Sequence, residues 1–223
     1  MESRGSGLRE IKKQMTRESI AEAAFKLVVD KGLDHVTIEE IAQEAFISPR
    51  TVSNYFSCKE EAVVAAGSPD WPTIIENFER RPADEDPLHA LSEIFVDYAN
   101  TQTRQQSRLR AQKLELTQTY PSLRRFKIAE YDQFEDELRT VIAARTGTQV
   151  DTDMYPSLAA AAAVSVIKSA TNVWVRSGAD PEQLAALFAE AFAQLSAGLP
   201  SPTRRRTEHS PKPVTLAARS DAS

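Results

Sequence analysis

Residues 41–56 read IAQEAFISPRTVSNYF. Ile38, Ile41, Ala42 and Ala45 recur at the three-to-four-residue spacing of one helix face. Ser48-Pro49 then interrupts the pattern. A serine hydroxyl caps a helix start, and a proline at the first helical position loses only an N–H that would have no partner there. The helix that follows turns Val52 and Phe56 inward, with Tyr55 partly so, and shows Arg50, Thr51, Ser53 and Asn54 outward. A helix this short is marginal alone, and its outer face is too polar for a core. Those side chains are expected to meet a partner.

Upstream, Ile20, Ala23, Ala24, Leu27 and Val28 form one face of a longer first helix, which Gly32 ends. Thr37-Ile38-Glu39-Glu40 fits a capping box that opens the second helix. Downstream, Ser57-Cys58-Lys59-Glu60 fits another and predicts a fourth helix. Two short helices joined by a three-residue turn and packed on a longer one are a helix-turn-helix. In that arrangement the third helix enters the major groove of DNA. Arg50 then suits bidentate pairing with guanine and Asn54 with adenine. Thr37, Ser48, Tyr55 and Lys59 are placed to hold phosphates, and Lys12, Lys13 and Arg17 to reach flanking ones. The expected DNA-contacting set is Arg17, Thr37, Ser48, Pro49, Arg50, Thr51, Ser53, Asn54, Tyr55 and Lys59. An ordinary three-helix unit with a solvated third helix is the plain alternative.

The chain has 223 residues and a net charge of −5, which at first sight argues against nucleic acid. The charge is unevenly spread. Residues 1–17 sum to +3 and residues 199–223 to +3, leaving −11 for 18–198. Basic ends beside a reading element are compatible with DNA binding. No apolar run of about 18 residues stands out, so no membrane helix or membrane partner is expected. The N-terminus lacks the apolar segment of a secretion signal, and a lone cysteine, Cys58, suits a reducing compartment. A cytoplasmic protein is expected.

Beyond residue 66 the 3.6-residue period continues without strand signals, so the fold is expected to be all-α with about nine helices. Residues 67–87 contain four prolines and read as a connection with one short helical piece. Asp86-Pro87 opens a helix bearing Leu88, Leu91, Phe95 and Tyr98; another follows through Leu109 and Leu116; Pro121 restarts a long one that ends near Gly147. An Ala/Ser-rich helix over 157–177 and a last helix capped by Asp180 complete the set. Small residues permit close helix approach, so these two are expected to pair with a two-fold mate, the alternative being that they fill the monomer core. The expected organisation is a basic flexible arm (1–15), a helix-turn-helix domain (16–65), a helical ligand-binding and dimerisation domain (66–198) and a disordered tail (199–223).

Residues 16–64 resemble the DNA-binding domain of TetR-type bacterial regulators. The likeness rests on the Ala-Ala-Phe helix ending in Lys-Gly, then Val-Thr-Ile, Ile-Ala, Ser-Pro-Arg-Thr, Tyr-Phe and Lys-Glu-Glu in order. That family usually places glycine where Phe46 stands, because the residue takes a positive φ. Phenylalanine there costs on the order of 1 kcal/mol, so a differently drawn turn is expected. The resemblance implies a homodimer on a palindromic operator, a small-molecule effector in the larger domain and the habit of a repressor. The run RLRAQKLELTQTYPSLRRFKIAEYDQFEDELRTVIAARTG, with the later VWVRSG, is similar to regulators of the mycofactocin type, whose ligands are acyl-CoA-like. The expected effector-lining residues are Phe95, Tyr98, Leu109, Tyr120, Phe126, Tyr131, Phe134 and Trp174, with Arg108, Arg110, Arg124 and Arg125 as candidates for phosphate at a pocket mouth.

The scattered His35, His89 and His209 with one cysteine offer no metal set, and no nucleophile or phosphate-loop motif occurs. Neither an enzyme nor a cofactor is expected. Triggering by a protein partner, or by oxidation of Cys58 at the start of the fourth helix, are the alternatives to a small effector. Operator, effector, target genes and the role of the basic tail are not encoded legibly.

Overall fold

Six of the ten α-helices among the described residues are started by a side chain that the sequence supplies at the right offset. Thr37 and Glu40 close a reciprocal capping box on α2 (Ile38–Glu44), and the Ser48 hydroxyl accepts from the Thr51 N–H to start α3 (Pro49–Tyr55). Asp70, Asp86, Thr103 and Asp180 do the same for α5 (Trp71–Arg80), α6 (Pro87–Thr101), α7 (Arg104–Thr119) and α10 (Pro181–Ser196). The other helices are α1 (Ser3–Lys31), α4 (Lys59–Ala65), α8 (Pro121–Thr146) and α9 (Met154–Arg176). A 3-10 turn, Leu33–His35, joins α1 to α2. The computed structural model describes residues 3–178 and 180–201, and among these there is no strand. The basic cluster Arg204–Arg206 and the expected disordered tail beyond 201 lie outside the described residues.

Several expectations are corrected. The N-terminal arm is not an irregular segment through residue 15: α1 runs from Ser3. Leu8–Met15 are all fair helix formers without a proline, and Thr16 Oγ1 donates back to the Lys12 carbonyl (2.9 Å), as a continuous helix allows. The 67–87 stretch holds a full helix, α5, because Asp70 and Pro72 act as cap and first-turn proline. That makes ten α-helices among the described residues rather than about nine. The box expected at Ser57–Glu60 is shifted: Cys58 is the N-cap without a side-chain bond, and the Ser57 N–H and hydroxyl both donate to Glu61 (2.7 Å each).

The turn between α2 and α3 keeps the left-handed residue despite its side chain. Phe46 has φ 56°. The Ile47 N–H reaches back to the Ala42 carbonyl (2.9 Å), the six-to-one bond of a Schellman ending, which requires the residue before it in αL. The expectation of a redrawn turn therefore fails; Phe46 bears the strain and is 94% exposed.

Two cores form. The smaller packs Ile20, Ala24, Phe25 and Val28 of α1 against Ile41 of α2, Val52 of α3, Phe56, and Ala62 and Val63 of α4. It does not end at residue 65. Leu123 is fully buried within it, and Leu109, Leu116, Tyr120 and Phe126 pack on it. The larger core is built from α5, α6, α8, α9 and α10 around Phe78, Phe95, Phe134, Leu138, Trp174, Phe188 and Phe192. The end of α7 and the start of α8 thus form a seam against the N-terminal unit.

Helix α9 serves the monomer core with one face (Ala160, Ala163, Val164, Ile167, Ala170) and leaves Met154, Tyr155, Leu158 and Val173 exposed. It is long and apolar enough to cross a membrane by length and composition, contrary to expectation, with half of that stretch buried inside the bundle. A core helix of a helical protein meets the same criterion.

Candidate nucleic-acid interface and effector cavity

The outer face of α3 is held by its inner one. Val52 is wholly buried and Phe56 nearly so, each worth roughly 1.5–3 kcal/mol of burial. Arg50, Ser53 and Asn54 on the opposite side are exposed, as are Thr37, Ser48 and Pro49, while Thr51 and Tyr55 are half-buried. Internal bonds steady this face: Ser48 Oγ lies 2.8 Å from Thr51 Oγ1, and Ser53 Oγ donates to the Pro49 carbonyl (3.2 Å). Helix α2 is fixed to α1 by ion pairs of Lys26 with Glu44 and Lys31 with Glu40. Arg17 lays its guanidinium on the Phe56 ring, 4.3 Å from the centroid, so α1 holds a cation beside the base of α3.

Lys59 stands differently from its expected role. Its ammonium donates to the carbonyls of Leu33 (2.8 Å) and Val36 (2.9 Å), which close the 3-10 turn. Two of its three hydrogens are committed inside the protein. It fastens α4 to the head before it can serve a phosphate.

The expected effector residues divide. Phe95, Tyr98 and Tyr131 line one inner cavity, together with Trp71, Arg110, Lys113, Leu114, Lys127, Ile167, Thr171 and Phe188. Leu109, Phe126 and Phe134 instead line an open cleft of about 660 Å³ between α1, α4, α5 and α8. Tyr120 belongs to the seam, its hydroxyl over Gly32. Trp174 is wholly buried with its Nε1 donating to the Asp180 carbonyl (2.7 Å), a structural place away from both spaces. Of the four arginines considered for phosphate, Arg108, Arg124 and Arg125 are exposed and Arg110 is buried.

The inner cavity holds only about 20 Å³, room for about one water. Apart from Arg110, its charged lining was missed at the sequence level. Helix α7 turns Ser107, Arg110, Lys113 and Thr117 inward, all buried. Lys127 of α8 is buried too and donates to Glu130 Oε2 (2.7 Å). The other carboxylate oxygen of Glu130 accepts from Trp71 Nε1 (2.9 Å). Lys113 donates to the Val64 carbonyl (3.0 Å) and to Ser68 Oγ (2.7 Å). Burial pushes Arg110 down to about 10, and burial, then the neighbouring Lys127, pushes Lys113 well below the ordinary lysine value. Burial alone would raise Glu130, but Lys127 and Lys113 hold it at about 2. Burial works against Lys127 as well, and Glu130 and Tyr131 together more than offset it. Spacings of three and four along α7 (107, 110, 113, 117) were the available signal; polar residues at that spacing ordinarily mark a solvated face. Among the described residues no group of His, Cys, Asp and Glu is placed to hold a metal.

A short-helix reading head on a helical bundle, with a polar cavity inside, is the architecture of a one-component bacterial regulator. Residues 20–66 match the family described as bacterial regulatory proteins, tetR family, and residues 85–200 the MftR C-terminal domain. The chain belongs to the TetR family and is a transcriptional regulator with an MftR-type C-terminal domain. It is 29% identical over 216 residues to the HTH-type transcriptional regulator TcmR of Streptomyces glaucescens, covering 90% of this chain and 92% of that protein. It is 26% identical over 196 residues to the putative mycofactocin biosynthesis transcriptional regulator MftR of Mycobacterium tuberculosis, covering 84% and 93%. Among solved structures, the TetR-family repressor FadR of Thermus thermophilus, in complex with lauroyl-CoA, superposes with a TM-score of 0.55 at 22% identity, covering 85% of this chain and 97% of that one. That likeness is one of fold.

Proposed function

We propose that this chain is a cytoplasmic homodimeric repressor that leaves a palindromic operator when a small apolar or acyl-CoA-like effector enters its larger domain. The observation that carries the DNA half is the α3 surface: Arg50, Ser53 and Asn54 are exposed on a helix whose other face is anchored by Val52 and Phe56. Arg50 and Asn54 read bases, and Thr37, Ser48, Pro49, Thr51 and Tyr55 approach the backbone. Arg17 supports the same edge from α1.

The exposed apolar residues Met154, Tyr155, Leu158 and Val173 of α9 favour a helical dimer interface, and α10 beside it carries Ala186, Ala189 and Ala193 outward. Two-fold symmetry then matches a palindrome, with recognition helices about one helical turn apart, roughly 34 Å. The cleft of about 660 Å³ is of a size for a small-molecule body. Its walls include α4 residues Val64 and Ala65, so occupancy bears on the helix that joins the reading head to the bundle.

A mobility-shift titration against DNA from the protein's own promoter, with and without long-chain acyl-CoA, tests this reading. Specific binding that acyl-CoA relieves supports both halves. Specific binding that ignores it keeps the regulator and removes that effector class. Absence of specific binding, at low salt with competitor DNA present, overturns the reading.

A further inference from the structure

The inner cavity contains more buried positive charge than the fold uses. Arg110 and Lys113 from α7 and Lys127 from α8 face it, and Lys168 of α9 lies over the Tyr131 ring at 4.9 Å. Glu130 is the one carboxylate among the described residues that favours the charged forms of Arg110, Lys113 and Lys127. Both of its oxygens are already engaged, by Lys127 and Trp71. Arg110 is left over. It is 7% exposed, it stacks on Tyr98 with 4.8 Å from Cζ to the centroid, and its Nη2 has no hydrogen-bond partner. A buried guanidinium nitrogen without an acceptor is a standing cost.

We propose that this cavity is the anchoring site for an aromatic carboxylic acid, whose carboxylate pairs with Arg110 and whose ring lies among Trp71, Tyr98 and Tyr131. The assignment rests on the reading of the larger domain as an effector domain, and it names an acid class of effector distinct from the acyl-CoA-like one. The guanidinium fork matches a carboxylate in a way that no neutral head reproduces. The aromatic walls favour a flat body over a flexible chain. Entry needs more room than about 20 Å³, and Trp71 supplies it. This half-buried side chain lines both the cavity and the open cleft, and its Nε1 bond to Glu130 holds the wall between them. Turning Trp71 outward merges the two spaces.

Calorimetric titration of the full chain with two matched pairs, benzoate against benzamide and 1-naphthoate against 1-naphthamide, tests the charge requirement. The acid of at least one pair is expected to bind about tenfold or more tightly than its amide, with quenching of Trp71 fluorescence. In Arg110→Gln that preference falls to about threefold or less, and Arg110→Lys restores part of it. Equal binding of acid and amide, no binding of either acid up to millimolar concentration, or an acid preference that Arg110→Gln leaves intact overturns the proposal. The wild-type comparison stands even where a variant fails to fold. Operator release separates this proposal from the regulatory one. A neutral ligand that binds in the bundle and releases DNA keeps the effector domain and sinks the acid site. An Arg110-dependent acid that leaves DNA binding untouched keeps the site and sinks the effector role.

Discussion

Lys113 of α7 donates a 3.0 Å hydrogen bond to the carbonyl of Val64, near the C-terminal end of α4. At the opposite end of the same helix, Lys59 donates to Leu33 and Val36. Helix α4 is seven residues long, roughly 10 Å, so a charged cavity and the DNA-reading head are separated by one rigid strut clamped at both ends by lysines. A change in where the Lys113 ammonium points has a short mechanical path to α3.

Lys113 is held for coupling at the expense of stability. Its folded pKa is depressed, so the unfolded chain binds its proton more readily, and burial of this group disfavours the fold at every pH below its unfolded value. Ser68 Oγ also donates to the Val64 carbonyl (3.0 Å), which stays satisfied without the lysine. Lys113→Met is therefore expected to raise the urea unfolding midpoint while weakening the response of operator binding to effector. A lower unfolding midpoint would refute the first half.

Phe46 offers a cleaner stability test. Its side chain contributes almost no packing, yet its Cβ sits in a left-handed backbone. Phe46→Gly is expected to gain about 0.5–1 kcal/mol, the relief of αL strain less the extra entropy of glycine in the unfolded chain. Phe46→Ala keeps the Cβ and should gain nothing. Equal effects of the two would place the gain elsewhere than in the backbone.

In the reading head, Arg50→Ala and Asn54→Ala should each lose about 1–3 kcal/mol of discrimination at different operator positions. Lys59→Ala should instead lower fold stability by about 1–2 kcal/mol, since two carbonyls lose a charged donor. Competition binding against single-base operator variants, alongside thermal unfolding, separates them. Loss of base discrimination in Lys59→Ala with unchanged unfolding would reverse that assignment.

Acid should weaken the fold in part through Glu130. Held at about 2 in the folded protein by Lys127 and Lys113, against about 4.5 when unfolded, this carboxylate contributes fully above pH 4.5. The contribution is lost as pH falls towards 2, where the unfolded chain takes up the proton first. Wild type should lose more stability than Glu130→Gln between pH 5 and 3 in urea titrations; parallel curves would mean that the pair contributes no pH dependence. The groups facing Glu130 are Lys127, Lys113, Trp71 and Ser68.

The helix starts were written locally, and so they were legible. Thr37, Ser48, Asp86 and Asp180 each stand at the offset from which one oxygen reaches a free N–H. The Val52–Phe56 inner face against the Arg50–Asn54 outer face followed from the helical period alone, while the class itself was carried by the resemblance of residues 16–64 to TetR-type regulators. Where the sequence misled, a distant partner had decided. Lys59, expected at a phosphate, commits two of its three hydrogens to carbonyls more than twenty residues upstream. Leu109, Tyr120 and Phe126 were expected around one pocket, and the fold divides them, Leu109 and Phe126 to the cleft and Tyr120 to the seam with the N-terminal core. Phe46 keeps a strained φ because a hydrogen bond between neighbours in the chain outweighs its side chain. The cationic cavity is the clearest case. Lys113 and Lys127 read as solvated residues in any window of sequence, and Arg110 only as one of four candidates for phosphate at a pocket mouth. Only the packing of α5, α6, α8 and α9 around α7 takes water away from them, and with water gone their charges acquire a meaning that composition and spacing do not carry.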